Sequence, residues 1–296
     1  SVLGVDYEIT DDRRKIGNNP AIIYSDEKVK DQFVIRPSGL LSMQGVTPLE
    51  PPVARIGDMP VLFASDSGDF PFDIFSAAFY MLSRYEEYLP FYPDAHGRFP
   101  GARSVAYREG FLNLPVVDIW ARYLANSLVK HFPAFTIRHN EYRALLTVDV
   151  DQPFAYRHRG FLRSFGGLVK GLTGTGASPA ERIRTIRGKK DDPYDSFGYI
   201  EEQTGKHGCE TLYFFPVGDH GEYDRNPHHK DHEYVSIIRK YDTQARTGIH
   251  PSYRSSGRPR VLLTEVDRYS HITGHEPESA RQHWLLLKMP DTYQAF

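Results

Sequence analysis

The sequence predicts an α/β fold in which a small α+β domain, residues 1–142, precedes a domain of alternating strands and helices, residues 143–296. In the first part, short apolar runs between Pro, Gly and Asp predict short strands, and two longer amphipathic runs predict helices. After residue 142, β-rich runs alternate with helical patterns. That alternation is typical of a parallel sheet, either open or closed into a barrel. The change of pattern near Arg143 predicts the domain boundary.

The N-terminal domain contains three apolar pieces with strand character and two helical patterns. The strands are predicted at Ala21 to Tyr24, Phe33 to Ile35 and Pro60 to Phe63. A second helix is predicted from Val116 to His131, since its apolar residues share one side and Pro133 closes the run. None of these elements contains a motif that indicates catalysis or ligand binding.

The first of the two helices is predicted from Phe72 to Leu89, where Pro90 ends the run. Its apolar side would consist of Phe72, Phe75, Phe79 and Leu82, which fall at helical spacing. Three charged residues on the other side are interpreted as surface charges: Arg84, Glu86 and Glu87.

The second domain begins with the apolar run Ala144 to Val150, and the elements after it alternate. Strands are predicted at 211–217, before His250 and at 282–289, and helices at 196–206, 234–241 and 262–271. A last helix would open at Pro290, and the chain stops at Phe296 within its first turn. We therefore expect the final αβ units of the sheet or barrel to be missing.

Two carboxylates follow the first strand of this domain. Because side chains alternate along a strand, Asp149 and Asp151 would lie on one face while Val148 and Val150 point away. Two like charges on one face require a cation or a hydrogen-bond network. The alternative is that the strand ends at Val148 and that both acids are turn residues.

Polar residues recur where the predicted strands end. Asp149 and Asp151 follow one strand, Asp219 and His220 another, and His250 a third. In a (β/α) barrel the carboxyl ends of the strands form the active-site rim, so this recurrence favours a functional reading of the Asp pair.

Composition excludes several function classes. The net charge of −2 predicts no general attraction to nucleic acid or to anionic membranes, and the basic run 182–190 is interpreted as a solvated surface. One cysteine, Cys209, excludes an internal disulfide and a thiolate-rich metal site. No segment resembles a signal peptide or a membrane span. We expect a cytoplasmic protein, although a chain that begins with Ser suggests that an upstream segment was removed.

Several common catalytic motifs are absent from the sequence. There is no Gly-x-Ser-x-Gly elbow and no Walker loop, and the Gly-rich segment 171–176 lacks dinucleotide spacing and is expected to be a flexible loop. What remains is carboxylate and imidazole chemistry. One Asp with two His suits a divalent cation, zinc first and cobalt or nickel next, and a second Asp can act as a base.

Three sequence segments together resemble the polysaccharide deacetylase family, also called the NodB homology domain. They are Thr147-Val148-Asp149-Val150-Asp151, Gly248-Ile249-His250-Pro251-Ser252-Tyr253 and Ser279-Ala280-Arg281-Gln282-His283-Trp284-Leu285. The chain is similar to a bacterial branch in which an accessory domain precedes the catalytic one; 83–88 and 190–195 share that similarity. The resemblance implies a distorted (β/α) barrel, here incomplete at its C-terminus, and a reaction that removes acetyl groups from an N-acetylated carbohydrate.

The resemblance also implies roles for individual residues. Asp149 would accept a proton from the attacking water, and Asp151 and His250 would bind the metal. The family has a second metal histidine four residues after the first, but that position is Arg254, which cannot bind a cation. We predict His283 as the replacement. Other histidines compete with it: His220, His228, His229, His271 and His275.

Two further family groups, an arginine that orients the base and a histidine that protonates the leaving amine, are expected beyond Phe296. The resemblance therefore favours a metal-dependent deacetylase with a carbohydrate substrate. An alternative is a non-catalytic carbohydrate-binding or assembly protein with an incomplete metal site. A third possibility is a related hydrolase that cuts a cyclic amide or another C–N bond.

Overall fold

The computed structural model describes residues 5–16, 19–137, 141–156 and 179–296, so the Gly-rich segment 171–176 lies outside the described residues. The protein is of mixed α/β class. It divides into two compact units, Ser1–Tyr142 and Arg143–Phe296, which we call the N-terminal and the C-terminal unit.

The N-terminal unit contains two small sheets. Strands β1 (Ile22–Tyr24) and β2 (Phe33–Ile35) pair in parallel, and β3 (Val53–Ile56) and β4 (Met59–Leu62) form an antiparallel hairpin. The predicted strands at β1, β2 and β4 are confirmed within a residue or two. Strand β3 was not predicted. Its turn is the two-residue Gly57-Asp58, where the positive φ of Gly57 suits a tight hairpin.

The first helix is shorter than predicted, and its buried side is different. Helix α1 covers Ile74–Leu82, its N-cap Asp73 accepts a hydrogen bond from the Ser76 backbone, and a separate 3₁₀ turn covers Tyr85–Tyr88. A left-handed residue, Arg84, separates the two elements. The predicted apolar face is wrong beyond Phe72, because the next three members are exposed and other side chains of α1 are buried. The exposed members are Phe75, Phe79 and Leu82.

The charged residues after α1 support local structure. Arg84 forms an ion pair with Glu87 at 2.6 Å, and Glu86 accepts a hydrogen bond from the Val105 backbone at 2.8 Å. Glu86 therefore anchors the short helix α2 (Val105–Arg108) and is more than a surface charge.

The second predicted helix is confirmed at both ends. Helix α3 covers Val116–His131, and Trp120 lies fully buried near its middle, donating to the carbonyl of Pro60 in β4. This helix and α1 pack on the hairpin around a core rich in aromatic side chains.

A three-stranded parallel sheet forms the centre of the C-terminal unit. Its strands lie in the order β5 (Leu145–Asp149), β6 (Glu210–Phe215), β7 (Arg246–Ile249). The helices are α4 (Pro179–Ile186), α5 (Phe197–His207), α6 (His232–Gln244), α7 (Pro259–Thr273) and α8 (Asp291–Ala295). Each predicted strand and helix before 282 is confirmed, with end shifts of a few residues. The described strands form an open sheet.

The predicted last strand, 282–289, is wrong. An extended stretch before it pairs with β7 in parallel, through a bridge between Ile249 and Ala280, but His283–Leu285 forms a 3₁₀ turn. Trp284 and Leu285 adopt positive φ values of 61° and 51°, which is incompatible with a strand. The apolar side chains here follow no period of two because the backbone turns.

Candidate metal centre

The site lies where the parallel strands end. Asp149 is the last residue of β5, Asp151 follows two positions later, and His250 directly follows β7. Val150, between the two acids, packs in the core, so the acids face the opposite side. All strands of the sheet are parallel, and their carboxyl ends therefore bring these three side chains to one edge.

Three potential ligand atoms converge at this edge. Oδ1 of Asp151 lies 3.2 Å from Nε2 of His250 and 3.8 Å from Nε2 of His283, and the ligand atoms of all three residues lie within 4.8 Å of one another. Two ligands of a tetrahedral zinc ion lie about 3.4 Å apart when each bond is about 2.1 Å long. The spacing therefore fits a divalent cation.

Hydrogen bonds fix the tautomers of both histidines. Nδ1 of His250 faces the carbonyl oxygen of Arg281, and Nδ1 of His283 lies 2.9 Å from Oδ1 of Asp224. Since a carbonyl or a carboxylate oxygen can only accept, each Nδ1 carries a proton, and the neutral form of each ring therefore has its lone pair on Nε2. An outer hydrogen bond of this kind is the usual support of a metal-binding histidine.

Charge favours an ionised Asp151 beside these rings. A proton on Nε2 of His250, which a bound cation would replace, donates to Asp151 and lowers the pKa of that carboxyl, outweighing the opposing effect of burial. Burial opposes protonation of His283, but its hydrogen bond to Asp224 and the nearby carboxylates raise the pKa of His283 overall. The site thus has a surplus of negative charge, which a divalent cation would compensate.

Asp149 does not join the three candidate ligands but pairs with an arginine. Nη1 of Arg281 donates to Oδ1 of Asp149 at 3.0 Å, and Nη2 donates to Thr147 at 2.7 Å. Arg281 thus gives Asp149 an arginine partner within the described residues, which the sequence analysis did not predict. Arg281 lies on the extended stretch beside β7 and His283 begins the 3₁₀ turn two positions later, so both reach the same edge of the sheet.

Two buried carboxylates hold the backbone after His250. The amide of Ser252 donates to Glu265 at 2.9 Å, and the amide of Tyr253 donates to Asp224 at 2.7 Å. Gln282 adds bonds from its side-chain nitrogen to the carbonyls of Pro251 and Ser252. This network holds the position of His250 and links it to the segment that carries His283.

A cavity of about 670 Å³ opens over the cluster. Asp149, at the end of β5, and Asp151, just after it, line this cavity together with both histidines, so the two acids share a face as predicted. The remaining lining is mostly polar or aromatic: Gln152, Glu222, Tyr223, Arg225, Asn226, Gln282 and Trp284, with Pro216 and Leu285. A pocket of this size accommodates a small molecule rather than an ion alone.

Some residues singled out in the sequence lie elsewhere. Asp219 pairs with Arg268 at 2.9 Å, and His220 lies outside the cluster and outside the cavity lining. Arg254 lies in the 3₁₀ turn Tyr253–Ser255 and lines a second, smaller cavity. His275 pairs with Asp242 at 3.0 Å, whereas the rings of His228 and His229 stack on each other.

Sequence reasoning missed three supporting residues: Arg281, Asp224 and Asp192. Arg281 belongs to a segment that the sequence singled out, and its place two residues before His283 could have indicated it. Asp224 stands alone in a polar loop with no local signal. Asp192 lies in the 190–195 segment and is buried, where it accepts the backbone amides of Ala155 and Tyr156 just after Asp151.

Together the fold and the site define an α/β protein with a candidate divalent-metal centre at the carboxyl edge of a parallel sheet. Residues 1–133 match a family model described as a family of unknown function (DUF7033). No curated protein and no solved structure matches the chain. The matched segment lies within the N-terminal unit, and the candidate centre lies in the other unit.

No helix among the described residues is both long and apolar enough to cross a membrane.

Proposed function

We propose that this protein is a metal-dependent hydrolase that removes acetyl groups from an N-acetylated carbohydrate. The observation that carries the proposal is the convergence of Asp151, His250 and His283 beside the Asp149–Arg281 pair, under one cavity. One carboxylate and two imidazoles leave coordination positions open, as in catalytic rather than structural zinc sites. Cobalt and nickel accept the same donors.

The proposal includes the fold that the sequence resemblance implies. The parallel order β5-β6-β7 and the extended segment beside β7 are consistent with part of a distorted (β/α) barrel of the NodB type. In such barrels the active site lies at the carboxyl ends of the strands, which is where the candidate ligands lie.

Each side chain has a role in this reaction. Asp151, His250 and His283 would hold the divalent ion, which when bound would act as a Lewis acid on the amide carbonyl. Asp149 lies beside them in the cavity and would accept the proton of the attacking water. Arg281 holds Asp149 in place through Nη1. The water oxygen bonds to the carbonyl carbon, the C–N bond breaks, and the proton taken up by Asp149 passes to the amine nitrogen, giving acetate and a free amine.

Acetate release tests this proposal. The full chain, loaded with Zn²⁺, is assayed on fully acetylated chitooligosaccharides and on a panel of small linear and cyclic amides. Expected are acetate release from the sugar and a rate about 10²–10⁴-fold lower in Asp149→Asn, the range for loss of a general base. Asp219→Asn, an acid outside this cavity, serves as the matched control.

The outcomes separate the competing functions. Hydrolysis of a cyclic amide without acetate release would show that the protein is a hydrolase of another C–N bond and not a deacetylase. Sugar binding without Zn²⁺ binding and without turnover would favour a non-catalytic carbohydrate-binding protein. Equal rates in the wild type and in Asp149→Asn would remove the mechanism.

A further inference from the structure

The backbone at Trp284 is unusual. Trp284 and Leu285 both adopt left-handed φ values, 61° and 51°, directly after the candidate ligand His283. Residues with large side chains rarely adopt this conformation, and such strain is concentrated at functional sites. The turn places Trp284 in the cavity lining, although the residue remains 39% exposed. A side chain that served only the core would be buried.

Trp284 belongs to an aromatic cluster. Its ring centroid lies 5.1 Å from that of Tyr223 and 6.2 Å from that of Tyr253, and the two tyrosine rings are 4.3 Å apart. Tyr223 lines the same cavity, whereas Tyr253 contacts both rings from the segment that follows His250. The indole meets both tyrosine rings edge to face, at 71° and 88°, so the two tyrosines hold the position of Trp284, which forms an aromatic wall beside the candidate metal centre.

Apart from Pro216 and Leu285, the other lining residues are polar. Asn226 is buried, and its side-chain nitrogen donates to the carbonyls of Gly218 and Pro227, which fixes its amide plane. Glu222, Arg225 and Gln152 add further donors and acceptors. An aromatic face next to hydrogen-bonding groups suits a ligand with one apolar face and a polar rim.

We infer that the indole of Trp284, supported by Tyr223, is the stacking face for the ring of a pyranose whose neighbouring acetamido group lies at the metal centre. This inference rests on the proposed function and narrows its substrate to an oligosaccharide. The axial C–H groups of the sugar would face the electron-rich indole, and its hydroxyls would reach the polar rim. Trp284 is then a residue that determines substrate specificity.

Tryptophan fluorescence gives a direct test. The chain has two tryptophans, and Trp120 is fully buried in the N-terminal unit, so a ligand-induced change in emission reports on Trp284. The fully acetylated chitotetraose is titrated into Asp149→Asn protein, in which it is not consumed. We expect a saturable shift in emission that disappears in a further Trp284→Phe variant.

Calorimetry on the same background measures the contribution of the ring. Trp284→Ala is expected to weaken tetramer binding about tenfold, and Trp284→Phe, which keeps an aromatic face, by less. Tyr199→Ala, which removes another exposed aromatic of the C-terminal unit, is expected to leave binding unchanged. Zn²⁺ binding by each variant shows that the site is folded.

The inference is overturned if the tetramer binds Trp284→Ala as tightly as the parent. It is also overturned if the protein binds Zn²⁺ but no tetramer, a result that leaves the hydrolase proposal standing with a different substrate. An acetyl-lysine peptide that binds equally well, with the same dependence on Trp284, would show that the wall does not select sugars. Tetramer binding that depends on Trp284, without Zn²⁺ binding, would support sugar stacking on Trp284 and contradict the proposed metal-dependent hydrolase.

Discussion

Oδ1 of Asp224 accepts hydrogen bonds from both Nδ1 of His283, at 2.9 Å, and the backbone amide of Tyr253, at 2.7 Å. This buried carboxylate therefore connects the segment after His250 to the segment that carries the other histidine. In the family that the sequence resembles, a histidine four residues after the position of His250 would hold the metal. Here that position is Arg254, and Asp224 orients a histidine from a later segment instead.

Asp224→Asn is expected to weaken Zn²⁺ binding by about 10–100-fold, the usual cost of losing an outer partner of a metal histidine. An Asn carbonyl can still accept one hydrogen bond, but it lacks the charge that favours the required tautomer. Calorimetric titration of Zn²⁺ measures the effect. Asp242→Asn is the matched control, because Asp242 pairs with His275 at 3.0 Å outside the cluster. Equal affinities for both variants and the parent would contradict the role of Asp224.

Arg281→Lys is expected to lower kcat for acetate release by about tenfold or more while Zn²⁺ affinity changes little. The guanidinium contacts Asp149 and Thr147 at once, and a lysine ammonium cannot reproduce that fork. The carbonyl that supports His250 belongs to the backbone and is retained.

Steady-state kinetics beside a Zn²⁺ titration separates the two effects. Arg268→Lys, which alters an ion pair outside the cavity over the cluster, controls for the general loss of an arginine. An unchanged kcat in Arg281→Lys would show that Asp149 needs no such partner.

Gly218→Ala is expected to destabilise the C-terminal unit by about 1–3 kcal/mol, the range for an overpacked core. A Cβ at this position would lie 2.7 Å from Cβ of Ser252 and 2.8 Å from Oε1 of Glu265. It would therefore disturb the bond that holds the backbone after His250. Thermal unfolding provides the measurement.

Gly205→Ala is the matched control for that substitution. Gly205 lies inside helix α5, and a Cβ at this position would meet no atom of another element within 4 Å among the described residues. This variant should stabilise the protein by about 0.5–1 kcal/mol through helix propensity. Equal melting temperatures for the two alanine variants would refute the close packing at Gly218.

Asp73 makes the stability of the N-terminal unit depend on pH. Burial acts to raise the pKa of Asp73, but hydrogen bonds from Ser76, Ser38 and Tyr24 lower it below the ordinary 3.8 overall. The ionised form is thus preferred in the folded unit. The contribution of ionised Asp73 to the free energy of unfolding is complete above about pH 3.8, the ordinary pKa of an aspartate. It is lost as the pH falls through the lower pKa that Asp73 has in the folded unit.

Asp73→Ala is therefore expected to cost about 1–2 kcal/mol at neutral pH, as for a lost N-cap, and less at strongly acidic pH. Urea unfolding followed by Trp120 emission in a Trp284→Phe background reports on this unit alone. Asp66→Asn, an exposed acid of the same unit, should have little effect at any pH. A cost that does not change with pH would contradict the charge-based account.

The sequence pattern predicted the elements whose apolar periodicity is complete. Helix α3, which buries one side, and strand β6, whose last four residues are buried, were predicted within a few residues because their apolar runs are continuous. The buried face of α1 was not, since Phe75 packs against Tyr24 at the edge of the core rather than inside it. Which apolar side is covered depends on partners that the local sequence does not specify.

The sequence also predicted only part of the candidate centre. Asp149, Asp151 and His250 follow strands, so their common edge could be expected from topology. His283 was predicted as a strand residue, but it lies at a 3₁₀ turn and reaches Asp151 from there. The pairing of Arg281 with Asp149 joins residues 132 positions apart, and no local pattern could specify that contact.

Anomalous scattering at the zinc edge, from crystals grown with Zn²⁺, tests the central claim most directly. We predict a peak about 2.0–2.2 Å from one carboxylate oxygen of Asp151 and from Nε2 of both His250 and His283. The peak should be absent in His283→Ala crystals. A zinc ion bound elsewhere, for example at the stacked pair His228 and His229, with the three predicted atoms uncoordinated, would contradict the account.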